Sequence, residues 1–470
     1  MKVDFEKLDR AFNPQCVAVV GDKTQTDFMW LRAQSTFKGR LYSVQVDPNE
    51  IEGIKALGVK NYDSLLEIPE PVDLVIVAVP RAVAPRILED CIQKDVGAAH
   101  FFTSGFAETD TEEGIKLEKT LSERARQANF HLIGPNCMGI YIPSSGIRQT
   151  MWQKTGFIGN IGFISQSGTH AGTFSQEAYL QGLEINKSVS FGNGLVLDST
   201  DYLEYFGHDP EIKAVGMYLE GVKDGNQFLK VLREVASRKP VVIWKGGRTE
   251  EGGRAIASHT GSLAVPRFIW DAAVRQGGAL KVNGMEELAD ALKAILCLSR
   301  VFGSRVGIAG GSGGQSVAIA DVFAEAGLKV PTLTQASYDR LSSFFLLVGS
   351  AYKNPIDPGV NRKEMKRILE ILEQDANIDN LVLLETILPI RRSSKHRETY
   401  INTLIDIRQR SPKPIAVILG PVSPEMMEEA EALIHKLREG GIPTFLNLER
   451  GARALKNTLD YYRLKEKRIE

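Results

Sequence analysis

The chain has 470 residues, of which 43% are hydrophobic and 24% are charged, and these proportions are typical of a soluble globular protein. Its 57 basic and 58 acidic residues give a net charge of −1, so no overall field favours nucleic acid or an acidic membrane surface. The four cysteines lie far apart without CxxC spacing, and neither a signal segment nor a bilayer-length apolar run is present. These features indicate a cytoplasmic protein with no metal site and no disulfide framework.

Short β-branched runs alternate with amphipathic stretches along the chain, which predicts an α/β fold with parallel sheets covered by helices. The length suggests roughly three domains, and we predict domain boundaries at 1–150, 151–300 and 301–470. In the first domain each predicted strand ends in turn or cap residues, which indicates a Rossmann-like sheet. These strands are 16–20, 41–46, 74–79, 98–102 and 131–133.

The turn after the first strand, residues 21–30, contains a single glycine, Gly21. A dinucleotide-binding turn carries the pattern GxGxxG, so this turn argues against a dehydrogenase. A turn with one glycine before a helix can still bind a phosphate through backbone N–H groups and the helix dipole. The alternative is a plain helix cap formed by Thr24 or Thr26.

The second and third domains begin with similar sequences, IGFISQSG and VGIAGGSG, at a fixed offset of 145 positions (162 to 307). Both sequences place a glycine turn between a strand and a helix. We interpret the two domains as tandem copies of one flavodoxin-like α/β unit. A helical segment near residues 285–300 is predicted to join them.

A glycine-rich stretch at residues 245–264 distinguishes the second copy from the third, which has no counterpart. Four glycines, Lys245, Arg248 and Arg254 precede a single histidine, His259. Uncovered N–H groups and nearby cations suit a multiply charged anion, and the imidazole could act as a base or carry a covalent group. The alternative is a surface loop whose histidine only hydrogen-bonds its neighbours.

Two further features of the second copy suit an anion and an imidazole. The turn SQSGT at 165–169, between a strand and a helix, predicts a phosphate-sized nest. Glu220 ends an apolar strand, where a carboxylate could orient an imidazole through one ring nitrogen. The same turn recurs in the third domain, where Glu385 matches Glu220, so ordinary packing is the alternative for both.

Taken together, these motifs resemble the NDP-forming acyl-CoA synthetases, which include ADP-forming acetyl-CoA synthetase and, more distantly, succinyl-CoA synthetase. The resemblance covers nearly the whole chain and implies a CoA-binding Rossmann-like domain followed by two succinyl-CoA synthetase-like flavodoxin domains. The motifs that carry it are 133–139 (IGPNCMG), 163–168 (FISQSG), 191–194 (FGNG) with Asp198, 218–221 (YLEG), 245–247 (KGG) and 258–263 (SHTGSL).

In this family a carboxylic acid, CoA and ATP interconvert with acyl-CoA, ADP and phosphate through an acyl phosphate. The resemblance implies that His259 is the phosphorylated histidine, which carries the phosphoryl group to a second nucleotide site, and that Glu220 hydrogen-bonds it. The phosphate-binding residues that it implies are Ser165, Gln166, Ser167, Gly168 and Thr169. The CoA-binding residues that it implies are Gly21, Lys23, Val46, Pro48, Val79, Pro80, Ser104, Gly105, Asn136 and Cys137.

Two features depart from the family pattern. The family's first turn commonly carries a second glycine, whereas Asp22 and Lys23 follow Gly21 here, and Asp22 would repel the CoA diphosphate unless Lys23 compensates. No glycine-rich nucleotide hairpin or acidic Mg²⁺ pair is recognisable after Arg305. The resemblance therefore implies a separate ATP-grasp β subunit, in an α2β2 assembly, that supplies the ATP/ADP and Mg²⁺ site.

The leading interpretation is the α subunit of an NDP-forming acid–CoA ligase, an acid–thiol ligase that uses a small carboxylic acid. One alternative is a non-catalytic CoA- or acyl-CoA-binding regulatory protein of the same fold, which would bind CoA without becoming phosphorylated. A second alternative, a flavodoxin-like electron carrier, predicts a yellow protein.

Overall fold

The computed structural model describes residues 3–260, 266–298, 300–301, 303–387 and 394–466. The chain divides into two compact units, Met1–Met285 and Glu286–Glu470. None of the helices in the described part is long and apolar enough to cross a membrane. The strands form three sheets, two in the first unit and one in the second.

The strands are short and mostly apolar, as expected for strands buried between helices. They are β1 (Cys16–Val20), β2 (Arg40–Val44), β3 (Lys60–Tyr62), β4 (Leu74–Val77), β5 (Ala98–Phe101), β6 (Leu132–Ile133), β7 (Gly139–Tyr141), β8 (Ile161–Ser165), β9 (Ile185–Ser190), β10 (Ala214–Leu219), β11 (Val241–Lys245), β12 (Leu280–Val282), β13 (Val306–Gly310), β14 (Asn380–Ile387), β15 (Ile415–Val422) and β16 (Thr444–Phe445).

The α-helices connect these strands and cover the sheets. They are α1 (Phe5–Phe12), α2 (Met29–Ala33), α3 (Pro48–Ala56), α4 (Ala84–Gln93), α5 (Glu112–Gln127), α6 (Gly168–Leu180), α7 (Ser199–His208), α8 (Gly225–Arg238), α9 (Glu250–Thr260), α10 (Arg267–Gly277), α11 (Met285–Cys297), α12 (Ser316–Glu325), α13 (Gln335–Ser342), α14 (Met365–Gln374), α15 (Ser394–Arg410), α16 (Met427–Glu439) and α17 (Leu448–Glu466).

The first sheet has the strand order β3-β2-β1-β4-β5-β6, and every pair in it is parallel. This is the order of dinucleotide-binding folds, so the Rossmann-like prediction is confirmed. The order reverses between β1 and β4, and ligands in such sheets bind beyond the carboxyl ends of the strands at that point. The turns after Val20 and Val77 are therefore the expected edge of a binding pocket.

The second sheet has the order β12-β11-β10-β8-β9-β7. Its five parallel strands follow the flavodoxin-like order 2-1-3-4-5, which confirms the predicted fold of this domain. Strand β7 adds to the edge, antiparallel to β9, so the chain joins the second sheet soon after it leaves the first. The reversal point lies between β8 and β10, which end at Ser165 and Leu219.

The third sheet has the order β13-β14-β15-β16. Strands β13, β14, β15 and β16 follow the same order as β8, β10, β11 and β12 of the second sheet. A full counterpart of β9 is missing among the described residues. In the described part of the chain, two isolated bridges, Ala309–Ile356 and Arg305–Lys329, lie beside β13 in its place. The third sheet therefore shares the winding that the tandem-copy interpretation predicts, but its described residues lack a full second strand.

Candidate functional site

The carboxyl ends of β8 and β10 hold the predicted phosphate turn. Ser165 ends β8, and its Oγ accepts a hydrogen bond from the Ser167 N–H at 3.2 Å and donates to the Ser167 carbonyl at 2.7 Å. Ser167 is the N-cap of α6, where its Oγ accepts from the His170 N–H at 3.3 Å. The turn is therefore fixed by its own serines, and α6, which has thirteen residues, begins at Gly168.

Gln166 joins this turn to the end of β10. Its side-chain Oε1 accepts hydrogen bonds from the backbone N–H groups of Glu220 at 2.8 Å and Gly221 at 3.1 Å. Its own N–H donates to the Tyr218 carbonyl at 3.0 Å. The structure thus brings the phosphate turn and Glu220, which lie more than fifty residues apart in sequence, into direct contact.

The Glu220 carboxylate is buried, with 7% of the residue exposed. One oxygen, Oε1, accepts from the Tyr218 hydroxyl at 3.2 Å. The other, Oε2, has no hydrogen-bond partner among the described residues. A buried carboxylate oxygen costs free energy unless it accepts a hydrogen bond. We therefore expect a hydrogen-bond donor next to Oε2.

Lys245, the last residue of β11, compensates the charge of Glu220 from the opposite side. Its ammonium is buried, and it donates to the carbonyls of Glu220 at 2.7 Å and Gly246 at 2.5 Å. Burial lowers the pKa of Lys245, and the nearby Glu220 carboxylate acts in the opposite direction. Lys245 therefore fixes the backbone that carries the carboxylate, and its contacts with the Glu220 side chain are electrostatic.

Three aromatic rings form the wall beside the turn. The rings of Tyr218 and Trp244 lie 4.3 Å and 4.7 Å from the His170 ring, centroid to centroid. Burial lowers the pKa of His170, while Glu220 acts in the opposite direction. These ring contacts are typical of a histidine that packs against its neighbours.

His259 lies in helix α9, and its side chain is outside the described residues. The expected glycine-rich loop is here a turn at 246–249 followed by this helix. Thr249 begins α9, because its Oγ1 accepts from the Gly252 N–H at 3.1 Å. The helix folds back on the turn, since a Cβ on Gly247 would lie 2.3 Å from Ile256 Cδ1.

Helix α9 also contacts the 3₁₀ turn Ala107–Thr109 of the first domain. That turn follows Ser104 and Gly105, and the Gly105 N–H donates to Glu108 Oε1 at 2.6 Å. The segment that carries His259 therefore extends from the end of β11 to the rim of the first sheet. The structure thereby places one helix between the two predicted binding regions.

A pocket of about 280 Å³ lies at the reversal point of the first sheet. It brings together five of the residues predicted to bind CoA, and its wall is completed by residues that follow β4 and β5. The predicted members are Gly21, Lys23, Val79, Pro80 and Ser104.

The other predicted CoA contacts do not line this pocket. Val46 and Pro48 lie at the start of α3, where Val46 is 67% exposed. Asn136 donates its side-chain amide to Asn193 Oδ1 at 3.4 Å. Cys137 requires a correction: it is 4% exposed in the apolar core, and burial raises its pKa to about 12. A thiol directed into the core does not contact a ligand in the pocket.

Eight further residues line the pocket that were not among the predicted CoA contacts. They follow strand ends or lie in or just before α2, so their positions after apolar runs were the available signal. These residues are Asp22, Thr26, Met29, Trp30, Ala78, Arg81, Phe102 and Thr103. Arg81 is held at the rim, since its guanidinium donates to the Gly105 carbonyl at 2.7 Å and pairs with Glu113.

Comparisons with known proteins identify the two domains in which these candidate sites lie. Residues 15–143 match the family described as CoA binding domain, and residues 158–295 match the succinyl-CoA ligase like flavodoxin domain. The α subunit of ADP-forming acetate–CoA ligase II from Pyrococcus furiosus is 34% identical over 453 residues, covering 93% of this chain and 94% of that subunit. The chain belongs to the NDP-forming acyl-CoA synthetases.

Other acyl-CoA synthetases match over the same extent. ADP-forming acetate–CoA ligase I of Archaeoglobus fulgidus is 33% identical over 95% of this chain, which spans 63% of that protein's length. The solved structure of dinucleotide forming acetyl-coenzyme A synthetase 1 from Ca. Korarchaeum cryptofilum, in complex with phosphate and ADP, has a TM-score of 0.83 and 28% identity. That match covers 98% of this chain and 97% of the other. The chain is thus of the α-subunit type within this family.

The FGNG motif of this acyl-CoA synthetase connects the two sheets. Asn193 donates its side-chain amide to Glu108 Oε2 at 2.8 Å and to Glu118 Oε2 at 3.2 Å. Asp198, which follows the motif, caps α7 in a reciprocal pair with Asp201. The motif therefore anchors the second domain to the first beside the 3₁₀ turn that α9 contacts.

Asp201→Asn is expected to stabilise the protein at pH 8 but not at pH 4. Burial raises the pKa of Asp201 to about 6, so folding favours its protonated form. Stability from this group is present at low pH and is lost as pH rises through about 6. We expect a gain of roughly 1–3 kcal/mol at pH 8, measured as a rise in Tm. The matched cap variant Asp224→Asn, at an exposed position, should change Tm little, and equal Tm shifts for Asp201→Asn at both pH values would contradict the assignment.

Proposed function

We propose that this chain interconverts acyl-CoA, phosphate and ADP with a carboxylic acid, CoA and ATP, with His259 as the phosphoryl carrier and Glu220 as its hydrogen-bond partner. A phosphate oxygen attacks the thioester carbonyl, the C–S bond breaks, and the CoA thiol leaves with a proton. The imidazole of His259 then attacks phosphorus, and the P–O bond to the acyl group breaks, releasing the carboxylate. ADP takes the phosphoryl group and restores the imidazole.

The observation that carries this proposal is the buried Glu220 Oε2 without a described partner, beside the first turn of α6. A carboxylate at that place would repel a free phosphate. An imidazole between them resolves the conflict, because one ring nitrogen donates to the carboxylate while the other holds the phosphoryl group. A phosphohistidine therefore fits the charges of this site better than phosphate alone.

The N-terminus of α6, at Gly168, supplies partial positive charge that complements the phosphoryl group. The first N–H groups of α6 have no partner within the helix, and the helix dipole adds roughly 0.3–1 kcal/mol for an anion. Hydrogen bonds from N–H groups to a charged oxygen contribute about 1.5–3 kcal/mol each, so they dominate the dipole. Phosphoryl transfer requires mainly positioning and charge stabilisation from a protein, and this turn offers both.

Helix α9 supports a role for His259 at both substrates. It begins beside Gly247, next to the strand end that holds Lys245, and it contacts the turn Ala107–Thr109 near the CoA pocket. The acyl phosphate forms at the CoA thioester. A residue that takes its phosphoryl group must therefore lie between the CoA pocket and the end of β11. We propose that α9 is the segment that brings the histidine to the acyl phosphate.

We further propose a separate ATP-grasp β subunit that binds ADP or ATP with Mg²⁺, in an α2β2 assembly. The single-chain relative from Archaeoglobus fulgidus is longer than this chain, which spans 63% of it. The extra length of that relative is where we expect the nucleotide site. All four cysteines are unpaired thiols, the state expected in the reducing cytoplasm, where we propose that the assembly acts.

The chain is expected to become phosphorylated when it is incubated with an acyl-CoA and [³²P]phosphate. Acetyl-, butyryl- and phenylacetyl-CoA are tested in parallel, and CoA binding is measured on the same preparation. We expect an acid-labile, base-stable adduct on His259, identified by mass spectrometry. Binding of CoA without labelling by any of the three thioesters would instead support the non-catalytic CoA-binding protein.

A further inference from the structure

The Asp22 carboxylate fills the first turn of the Rossmann-like sheet. Asp22 is 2% exposed, and its Oδ2 accepts hydrogen bonds from the N–H groups of Trp30 at 3.0 Å and Leu31 at 2.8 Å. Its Oδ1 accepts from the Lys23 N–H at 3.1 Å. Burial raises the pKa of Asp22, and these hydrogen bonds act in the opposite direction. Both oxygens accept, which is the pattern of an ionised carboxylate.

The backbone N–H groups that donate to Asp22 are at the position that usually binds a ligand's diphosphate. In Rossmann-like folds the diphosphate lies at the first turn and accepts from the N–H groups that begin the helix. Here Trp30 and Leu31 are the second and third residues of α2, and both donate to Asp22. Helix α2 has five residues, so its dipole is small. A second anion at the same N–H groups would face a buried negative charge.

The first turn contributes one cation, Lys23, to the lining of the pocket. Lys23 lines the pocket, and its ammonium makes no hydrogen bond or ion pair with any residue in the described ranges. Arg81, the other cation of the lining, already donates to the Gly105 carbonyl and pairs with Glu113. Lys23 is therefore the better placed of the two to meet a new anion.

We infer that this chain binds the diphosphate of CoA through the Lys23 side chain instead of the backbone N–H groups of the first turn, because Asp22 already fills that position. The inference rests on the proposed function, in which CoA is the ligand of this pocket. It has two consequences. Affinity for CoA depends on one side-chain cation, and salt weakens it strongly, because a partly exposed charge pair is screened over about 8–10 Å.

The test compares CoA with pantetheine, which lacks the diphosphate, by calorimetric titration at low and moderate salt. Lys23→Ala is expected to lower CoA affinity about 10- to 100-fold and to reduce its salt dependence, while pantetheine binding is unchanged. Lys230→Ala, at an exposed lysine of α8 in the second domain, is the matched control and should bind CoA like the wild type.

Unchanged CoA affinity in Lys23→Ala would overturn the inference while the proposed function stands. Failure of the wild type to bind CoA would overturn both. A second variant, Asp22→Asn, keeps an acceptor for the Trp30 and Leu31 N–H groups and removes the charge, so CoA affinity should rise a few-fold. Weaker CoA binding in Asp22→Asn at an unchanged Tm would also overturn the inference, since it would make the carboxylate itself a ligand contact.

Discussion

His259→Asn is expected to abolish phosphate incorporation from acyl-CoA and [³²P]phosphate, by at least about 1000-fold. An amide nitrogen is not nucleophilic, so no P–N bond forms at this position. CoA affinity should stay within about two-fold of the wild type, because the CoA pocket is built from residues of the first domain. The measurement is labelling of the chain together with CoA titration of the same variant.

Two other histidines make this prediction specific. His208→Asn, at an exposed position at the end of α7, is the matched control and should be labelled like the wild type. His170 is the rival nucleophile, because it lies in the first turn of α6 and its ring contacts Tyr218 and Trp244. Full labelling of His259→Asn together with loss in His170→Asn would move the phosphoryl carrier to His170 and contradict the assignment.

The sequence predicted which of the candidate residues lie together where they follow strand ends. The phosphate turn comes directly after β8, and Glu220 comes directly after β10. Adjacent parallel strands carry their carboxyl ends to one edge, so the order of strands alone brings such residues together. The hydrogen bonds from the Glu220 and Gly221 N–H groups to Gln166 Oε1 show that the two strand ends are in direct contact.

Helix α9 shows that part of the glycine-rich stretch is helical, since residues 250–260 form a helix whereas the turn at 246–249 is loop-like. Glycines disfavour a helix by about 1 kcal/mol each, and Gly252 and Gly253 both lie inside α9. The opposing signal was a cap residue, Thr249, followed by Glu250 and Glu251, which is a typical helix start. Packing of the helix against Gly247 depends on tertiary structure and could not be read from composition.

Asp22 and Cys137 show a second limit of local reasoning. From the sequence, Asp22 faces the ligand because it follows Gly21, yet the carboxylate turns inward to the N–H groups of Trp30 and Leu31. Those donors lie eight and nine positions later, and no local pattern pairs them with Asp22. Cys137 likewise follows a strand end but turns into the core. Residue position in a turn was predictable, whereas side-chain direction required the structure.

Glu220→Gln is expected to lower phosphate incorporation about 10²–10⁴-fold while Tm changes little. The substitution keeps the shape and the acceptor for the Tyr218 hydroxyl. It replaces Oε2 by an N–H donor or neutral oxygen, so the imidazole loses the charge that fixes its tautomer and stabilises the phosphorylated ring. A buried carboxylate oxygen without a described partner costs stability, whereas losing its attraction to the buried Lys245 ammonium acts in the opposite direction.

A loss of labelling without a loss of Tm separates function from packing. If Glu220 served only to hold the β10 end in place, its replacement would lower Tm and leave labelling intact, and that result would contradict the assignment. Glu234→Gln, at an exposed glutamate of α8, is the control and should change neither quantity. The comparison with Glu385→Gln is also informative, because Glu385 is the matching strand-end carboxylate of the third sheet, where the sequence has no counterpart of the histidine-bearing stretch. A loss of labelling larger in Glu220→Gln than in Glu385→Gln, with Tm little changed, is the outcome expected of a carboxylate that supports a phosphohistidine.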